Sequence, residues 1–136
     1  MHITKKILDD LVYQVNGAAI EVHKALGPGL LESIYHDCMK HELTLRGIKY
    51  SSEHHIPISY KGFETSTILR CDLLVEEILV VELKSVTEIQ PIFEAQILTY
   101  MKLLKLPKGL MINFNVKNIF HEGQKTYVNQ LYFDIF

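Results

Sequence analysis

Apolar residues recur at three- and four-residue spacing over residues 4–26: Ile7, Leu8, Leu11, Val12, Val15, Ala18, Ala19, Val22 and Leu26. That period predicts an amphipathic helix. Thr4 suits its N-cap, and Gly27-Pro28-Gly29 ends it. A second stripe of Leu31, Ile34, Tyr35, Cys38, Met39 and Leu43 predicts a helix over 30–46, with Gly47 as its stop. The period then falls to two. Residues 48–61 hold two short extended stretches, with Pro57 marking an edge and Lys61-Gly62 a turn. Ile68–Val75 and Ile78–Lys84 predict an antiparallel hairpin around Glu76-Glu77. Helical period returns over 91–105, where Pro91 suits a first position and Phe93, Ile97, Tyr100, Met101 and Leu104 share a face. A strand is predicted at 110–114, a turn near Glu122-Gly123 and a last strand at 126–134. Two helices, a strand meander, a helix and further strands imply a single α/β domain, one mixed central sheet flanked by helices.

Two charges interrupt this pattern. Ile78-Leu79-Val80-Val81-Glu82-Leu83-Lys84 is apolar on both faces, as a buried strand requires, apart from Glu82 and Lys84. These two point the same way, because strand side chains repeat every two residues. A buried charge is costly unless it is paired or holds a metal. Asp72 is a second acid inside an apolar run, between Cys71 and Leu73. Two carboxylates on adjacent strands suit a hard divalent cation, which prefers oxygen ligands. An internal ion-pair network of Arg70, Asp72, Glu82 and Lys84 is the alternative.

The register of the hairpin decides whether the two acids meet. A two-residue loop at Glu76-Glu77 would set Val75 opposite Ile78 and leave Asp72 and Glu82 on different faces. An odd loop of Glu76, Glu77 and Ile78, with Val75 opposite Leu79, brings the acids together; a β-bulge would do the same. Such loops often need a left-handed residue, and this one has no glycine.

Glu32 is a third acid, in the first turn of the second helix, where the helix dipole alone favours it. Gln96 and Tyr100 share a face of the third helix, and Gln96 lies beside its apolar stripe. A buried amide there needs a partner: a water, a lysine or a backbone carbonyl. His23 precedes the glycine-rich turn and could approach Glu32. His36, His41 and His121 read as surface residues, His54-His55 as exposed, and no histidine spacing fits a zinc site.

Composition narrows the partners little. The net charge is −2, which mildly opposes sequence-independent nucleic-acid binding without excluding a local basic groove. Cys38 and Cys71 lie in different elements and read as small core residues. No apolar run is long enough to span a bilayer and no signal peptide is evident, so a cytoplasmic location is expected.

The chemistry-bearing residues form an ordered series. Gly29-Leu30-Leu31-Glu32-Ser33-Ile34-Tyr35 resembles the pattern of the GxxExxY protein family. Asp72, then Glu82-Leu83-Lys84, then Gln96-Ile97-Leu98-Thr99-Tyr100 resembles the D…ExK…QxxxY series of RecB-type nucleases in the PD-(D/E)XK superfamily. The likeness runs from about Val15 to Asn115. Cys71 stands where the proline of the superfamily's label would be, and the cysteines of its iron–sulfur relatives are missing. The resemblance implies a restriction-endonuclease-like fold and metal-dependent hydrolysis of phosphodiesters in nucleic acid, DNA before RNA. Asp72 and Glu82 would bind Mg²⁺ or Mn²⁺ with the Leu83 carbonyl, and Glu32 would be a third acid. Lys84 would act on the attacking water and scissile phosphate, Gln96 would orient Lys84 or a water, and Tyr100 would brace its helix. A non-catalytic interaction module on the same fold, perhaps a homo-oligomer, is the competing expectation.

Overall fold

The computed structural model describes residues 2–135. Helix α1 spans Lys5–Leu26 and α2 spans Glu32–Leu45. Thr4 caps α1, its hydroxyl accepting the Ile7 N–H at 3.1 Å. Strand β1 (Tyr50–Ile56) is followed by the short strands β2 (Ser59–Tyr60) and β3 (Phe63–Glu64). The hairpin is β4 (Leu69–Val75) and β5 (Leu79–Lys84); α3 (Pro91–Leu104) then leads to β6 (Lys108–Asn113). A short helical turn α4 (Ile119–Glu122), β7 (Gln124–Val128) and a second turn α5 (Gln130–Phe133) complete the chain.

The last predicted strand is the main departure. Pairing with β6 begins at Gln124 and stops at Val128, earlier at both ends than expected. Asn129 ends it by capping α5, its side chain accepting the Leu131 N–H at 3.1 Å.

Five strands make one mixed sheet in the order β1-β4-β5-β6-β7. Only β5 and β6 are parallel, joined by the α3 crossover. Pro57 falls where β1, at the sheet edge, ends. Two layers of core result. α1 and α2 bury Leu8, Val15, Tyr35 and Met39 against Leu73, Val75, Leu79, Val81 and Leu83. α3 buries Ile97, Tyr100 and Met101 against Cys71, Leu74, Val80 and Met111 on the other face.

These memberships reveal a kink. Leu73 and Val75 face α1 and α2, yet Leu69 and Cys71, of the same parity, pack in the α3 layer. Strict alternation would put all four on one face. The reversal falls at Asp72. Pairing of β1 with β4 skips the Glu53–Asp72 position, and Glu53 has φ 52°. Both strands turn over there, which frees Asp72 from the regular pleat.

Candidate functional site

The β4–β5 register sets Val75 opposite Leu79, Leu74 opposite Val80 and Leu73 opposite Val81. The loop therefore holds Glu76, Glu77 and Ile78, the odd length that brings Asp72 toward Glu82, and no bulge is needed within the hairpin. The left-handed positions are taken by glutamates: φ is 51° at Glu76 and 62° at Glu77. Non-glycine residues pay for this conformation with steric strain. Glu76 is held in place by the segment just before β1, donating its N–H to the Lys49 carbonyl at 2.9 Å and accepting the Lys49 N–H on Oε1 at 2.8 Å.

Past Leu73–Val81 the carboxylates replace the ladder. Asp72 N–H donates to Glu82 Oε2 at 2.7 Å, and Leu83 N–H donates to Asp72 Oδ2 at 2.8 Å. Each acid thus satisfies a backbone donor on the other strand. Glu82 is the deeper of the two, only 5% exposed. Burial foremost, then the Asp72 charge, pushes its pKa up to about 8. Lys84 and His36 work against that rise.

Glu32 arrives through α2. Tyr35, fully buried, stacks on Phe114 with ring centroids 4.4 Å apart. Its hydroxyl donates to the Gly27 carbonyl at 2.6 Å and accepts the Leu30 N–H at 3.2 Å. Ser85 Oγ donates to the Leu30 carbonyl at 2.7 Å. The Gly27–Leu31 loop is thereby fixed, with Gly29 at φ 97° as its left-handed corner, and Glu32 opens the helix. Glu32's carboxyl is raised above its ordinary value, by burial first and by Asp72 against the opposing pull of Lys84.

His36, expected at the surface, instead packs beside Glu32 and Asp72. Only 13% of its side chain is exposed, and Nε2 lies 3.3 Å from Asp72 Oδ2 and 4.0 Å from Glu32. Its pKa is raised, chiefly by the hydrogen bond with Asp72. Donor atoms of Glu32, His36 and Asp72 all lie within 4.8 Å of one another. They line an open cleft of about 380 Å³ with Lys40 and Glu53. The spacing of Glu32 and His36, one helical turn, was the available signal, since residues four apart share a face. Glu53 left no comparable signal, because its place depends on the kink.

The other expected residues sit around this cluster. Lys84 is half-buried, its Nζ 4.4 Å from the centre of the Phe93 ring. Leu83 is fully buried in the α1/α2 layer, and its N–H orients Asp72. Tyr100 is buried at the α3 face, and its hydroxyl pKa is raised by burial, then by the charges of Glu82 and Asp72. Gln96 is exposed rather than buried, so the amide needs no protein partner. It lies one turn from Tyr100 on α3. Arg70 is exposed and joins no ion pair with Asp72, Glu82 or Lys84 among the described residues, so the four-residue network is not formed. His23 turns from Glu32, with Nε2 2.7 Å from the Val116 carbonyl oxygen. Cys71 is fully buried and Cys38 half-buried against the core; burial pushes the Cys71 thiol up to about 12. Asn113, unforeseen, braces the strand end by accepting the Val86 N–H at 3.1 Å and donating to the Val86 carbonyl at 2.9 Å.

Chemically, two carboxylates and an imidazole converging beside a buried carboxyl fit a divalent cation: the oxygens suit a hard metal, and the nitrogen a borderline one. Among the described residues no helix is long and apolar enough to cross a membrane. The family model of the PD-(D/E)XK nuclease superfamily matches residues 9–126. No curated protein and no solved structure matches the chain.

Proposed function

Because the chain belongs to the PD-(D/E)XK nuclease superfamily, we propose that it is a Mg²⁺- or Mn²⁺-dependent nuclease, and within that superfamily a GxxExxY protein. The observation that carries the reading is the convergence of Glu32, His36 and Asp72 donor atoms within 4.8 Å at an open cleft. These three side chains would hold the cation, together with Glu82 and the Leu83 carbonyl. A divalent cation supplies Lewis-acid polarisation of the phosphate and lowers the pKa of water.

The chain's own groups do the rest. Asp72 is oriented by the Leu83 N–H, and the same oxygen, Oδ2, lies 3.3 Å from His36 Nε2. Lys84 balances charge on the scissile phosphate and positions the attacking water. Phe93 limits where that ammonium can go. Gln96 meets substrate or solvent from the exposed side of α3, and Tyr100 holds α3 against the two acids. Nucleic acid, DNA before RNA, is the substrate class.

The test is a cleavage assay on single- and double-stranded DNA and RNA with Mg²⁺ and with Mn²⁺. Metal-dependent cleavage that disappears in Asp72→Asn is expected. A folded, metal-binding protein that cuts none of these substrates would favour the interaction-module reading. One observation already leans that way: Glu82 is nearly inaccessible and occupied with the Asp72 N–H, as a structural group would be.

A further inference from the structure

Beyond the kink, β1 and β4 continue as His54–Ile56 against Leu69–Cys71, and the chain between them forms the β2–β3 ribbon. At its tip Lys61 has φ 49° and Gly62 φ 80°. A two-residue turn left-handed at both positions matches the natural twist of a hairpin. It sets Tyr60 directly opposite Phe63, so the two rings stand side by side on one face. Alternation adds Ile58 and Thr65 to that face, joined by a Thr65 N–H to Ile58 carbonyl bond at 3.1 Å. Ser59 and Glu64 take the other face.

Both rings are largely open to solvent. Tyr60 is 62% exposed and Phe63 64%. Lys61 Nζ sits 5.4 Å from the Tyr60 ring centre, and Arg70 is exposed on the returning strand. Neither cation forms an ion pair among the described residues. Glu64 is the one acid between Pro57 and Ile68, and it lies on the opposite face. The ribbon thus carries two exposed rings on one face and a lysine at its tip, in a chain of net charge −2. It extends from the ends of β1 and β4 that lie beyond the kink, and at that kink Glu53 and Asp72 line the cleft.

We propose that this face binds a single strand of nucleic acid leading into the cleft, with bases stacked on Tyr60 and Phe63 and phosphates met by Lys61 and Arg70. The inference rests on the nuclease reading for its choice of partner. Flat rings beside unpaired cations suit nucleobases, whose faces stack without regard to sequence. A duplex has those faces already stacked inside itself, which is why the strand is single. Phe63 to Asp72 is nine residues, at most about 30 Å of extended chain at 3.3 Å per residue, enough for several nucleotides.

The experiment measures anisotropy of a fluorescein-labelled oligothymidylate of about 20 nucleotides, a length chosen to exceed one such binding site, with EDTA present to prevent cleavage. Tyr60→Ala/Phe63→Ala is expected to weaken binding at least about tenfold. Tyr60→Phe should bind like wild type, since the ring is retained. Because the rings are exposed, the circular dichroism and Tm of the double variant should match wild type. The chain has no tryptophan, so Tyr60→Trp supplies a lone reporter whose emission the oligonucleotide should quench. Wild-type affinity in the double alanine variant, or no binding by wild type, would overturn the proposal. So would loss of a dimer on ring removal with oligonucleotide affinity unchanged, since the face would then belong to a second copy. Ring-dependent binding without cleavage under any metal would overturn the nuclease reading alone, whereas intact cleavage with ring-independent binding would overturn the ribbon alone.

Discussion

The β4–β5 hairpin has two ends built on opposite terms. Near the loop, Val75–Leu79, Leu74–Val80 and Leu73–Val81 pair backbone to backbone and bury apolar side chains in both layers. One pair further on, the Glu82 side chain accepts the Asp72 N–H and the Asp72 side chain accepts the Leu83 N–H, and a carboxyl is held nearly dry. The first end stabilises the fold. The second gives up a stretch of ladder and accepts a buried acid, an arrangement that makes physical sense where a cation or a substrate supplies what the protein withholds. Proteins concentrate such local conflicts at working sites.

The sharpest contrast comes from one substitution at each end. Lys84→Ala should lower cleavage by about 10²–10³, the effect of losing a positioned charge at a developing oxyanion, while leaving the folded state intact. Leu79→Ala should do the reverse, costing about 2–5 kcal/mol of stability as a large-to-small change in a fully buried site, with chemistry preserved in molecules that stay folded. Denaturant melts beside single-turnover rates check both. Activity surviving in Lys84→Ala would place the chemistry elsewhere.

Added cation should then tell the ends apart. Binding to the folded state alone raises stability by RT ln(1 + [L]/Kd), about 2.7 kcal/mol at 100 times Kd. Thermal melts in Mn²⁺ and Mg²⁺ should show this for wild type and for Leu79→Ala. An equal shift in Asp72→Ala/Glu82→Ala would remove the metal from this site.

The smallest expected effect is the pH dependence of the acid end. Glu82 is raised from the ordinary 4.5 to about 8, so the folded state binds more protons than the unfolded one across that window. Stability therefore falls as pH rises from 4.5 to about 8. His36, also raised by Asp72, adds stability at low pH that is lost as pH climbs through its folded value. The two act in the same direction. Glu82→Gln keeps an oxygen for the Asp72 N–H and removes the charge, so it should flatten the profile and gain about 1–2 kcal/mol at the alkaline end. A metal-free Glu82→Gln profile parallel to wild type would show that Glu82 is ionised without cost.

Much of this was legible in the residues because it depends on period and parity. Helices α1 to α3 follow from apolar spacing. Requiring Asp72 and Glu82 to meet left an odd loop and a β-bulge as equal alternatives; the odd loop is the one formed, without a glycine, and Lys49 pins Glu76 from outside the hairpin. The last strand was overextended because Asn129 acts as a helix cap, not as a strand residue. Gln96 was read as buried because helical period cannot say how wide a neighbouring layer covers a face; α3 leaves it in solvent.

By itself the sequence determined where the acids lie, which elements carry them and most of the core, with Leu31 and Ile34 among stripe residues that stay exposed, since local spacing encodes period but not how far a neighbouring layer reaches. Only the tertiary structure decided that His36 joins Glu32 and Asp72, that Glu82 lies behind them, and that both strands turn over at Glu53 and Asp72. Each of those facts depends on how separate elements pack across a sheet, and packing between distant segments leaves no periodic trace in any one of them.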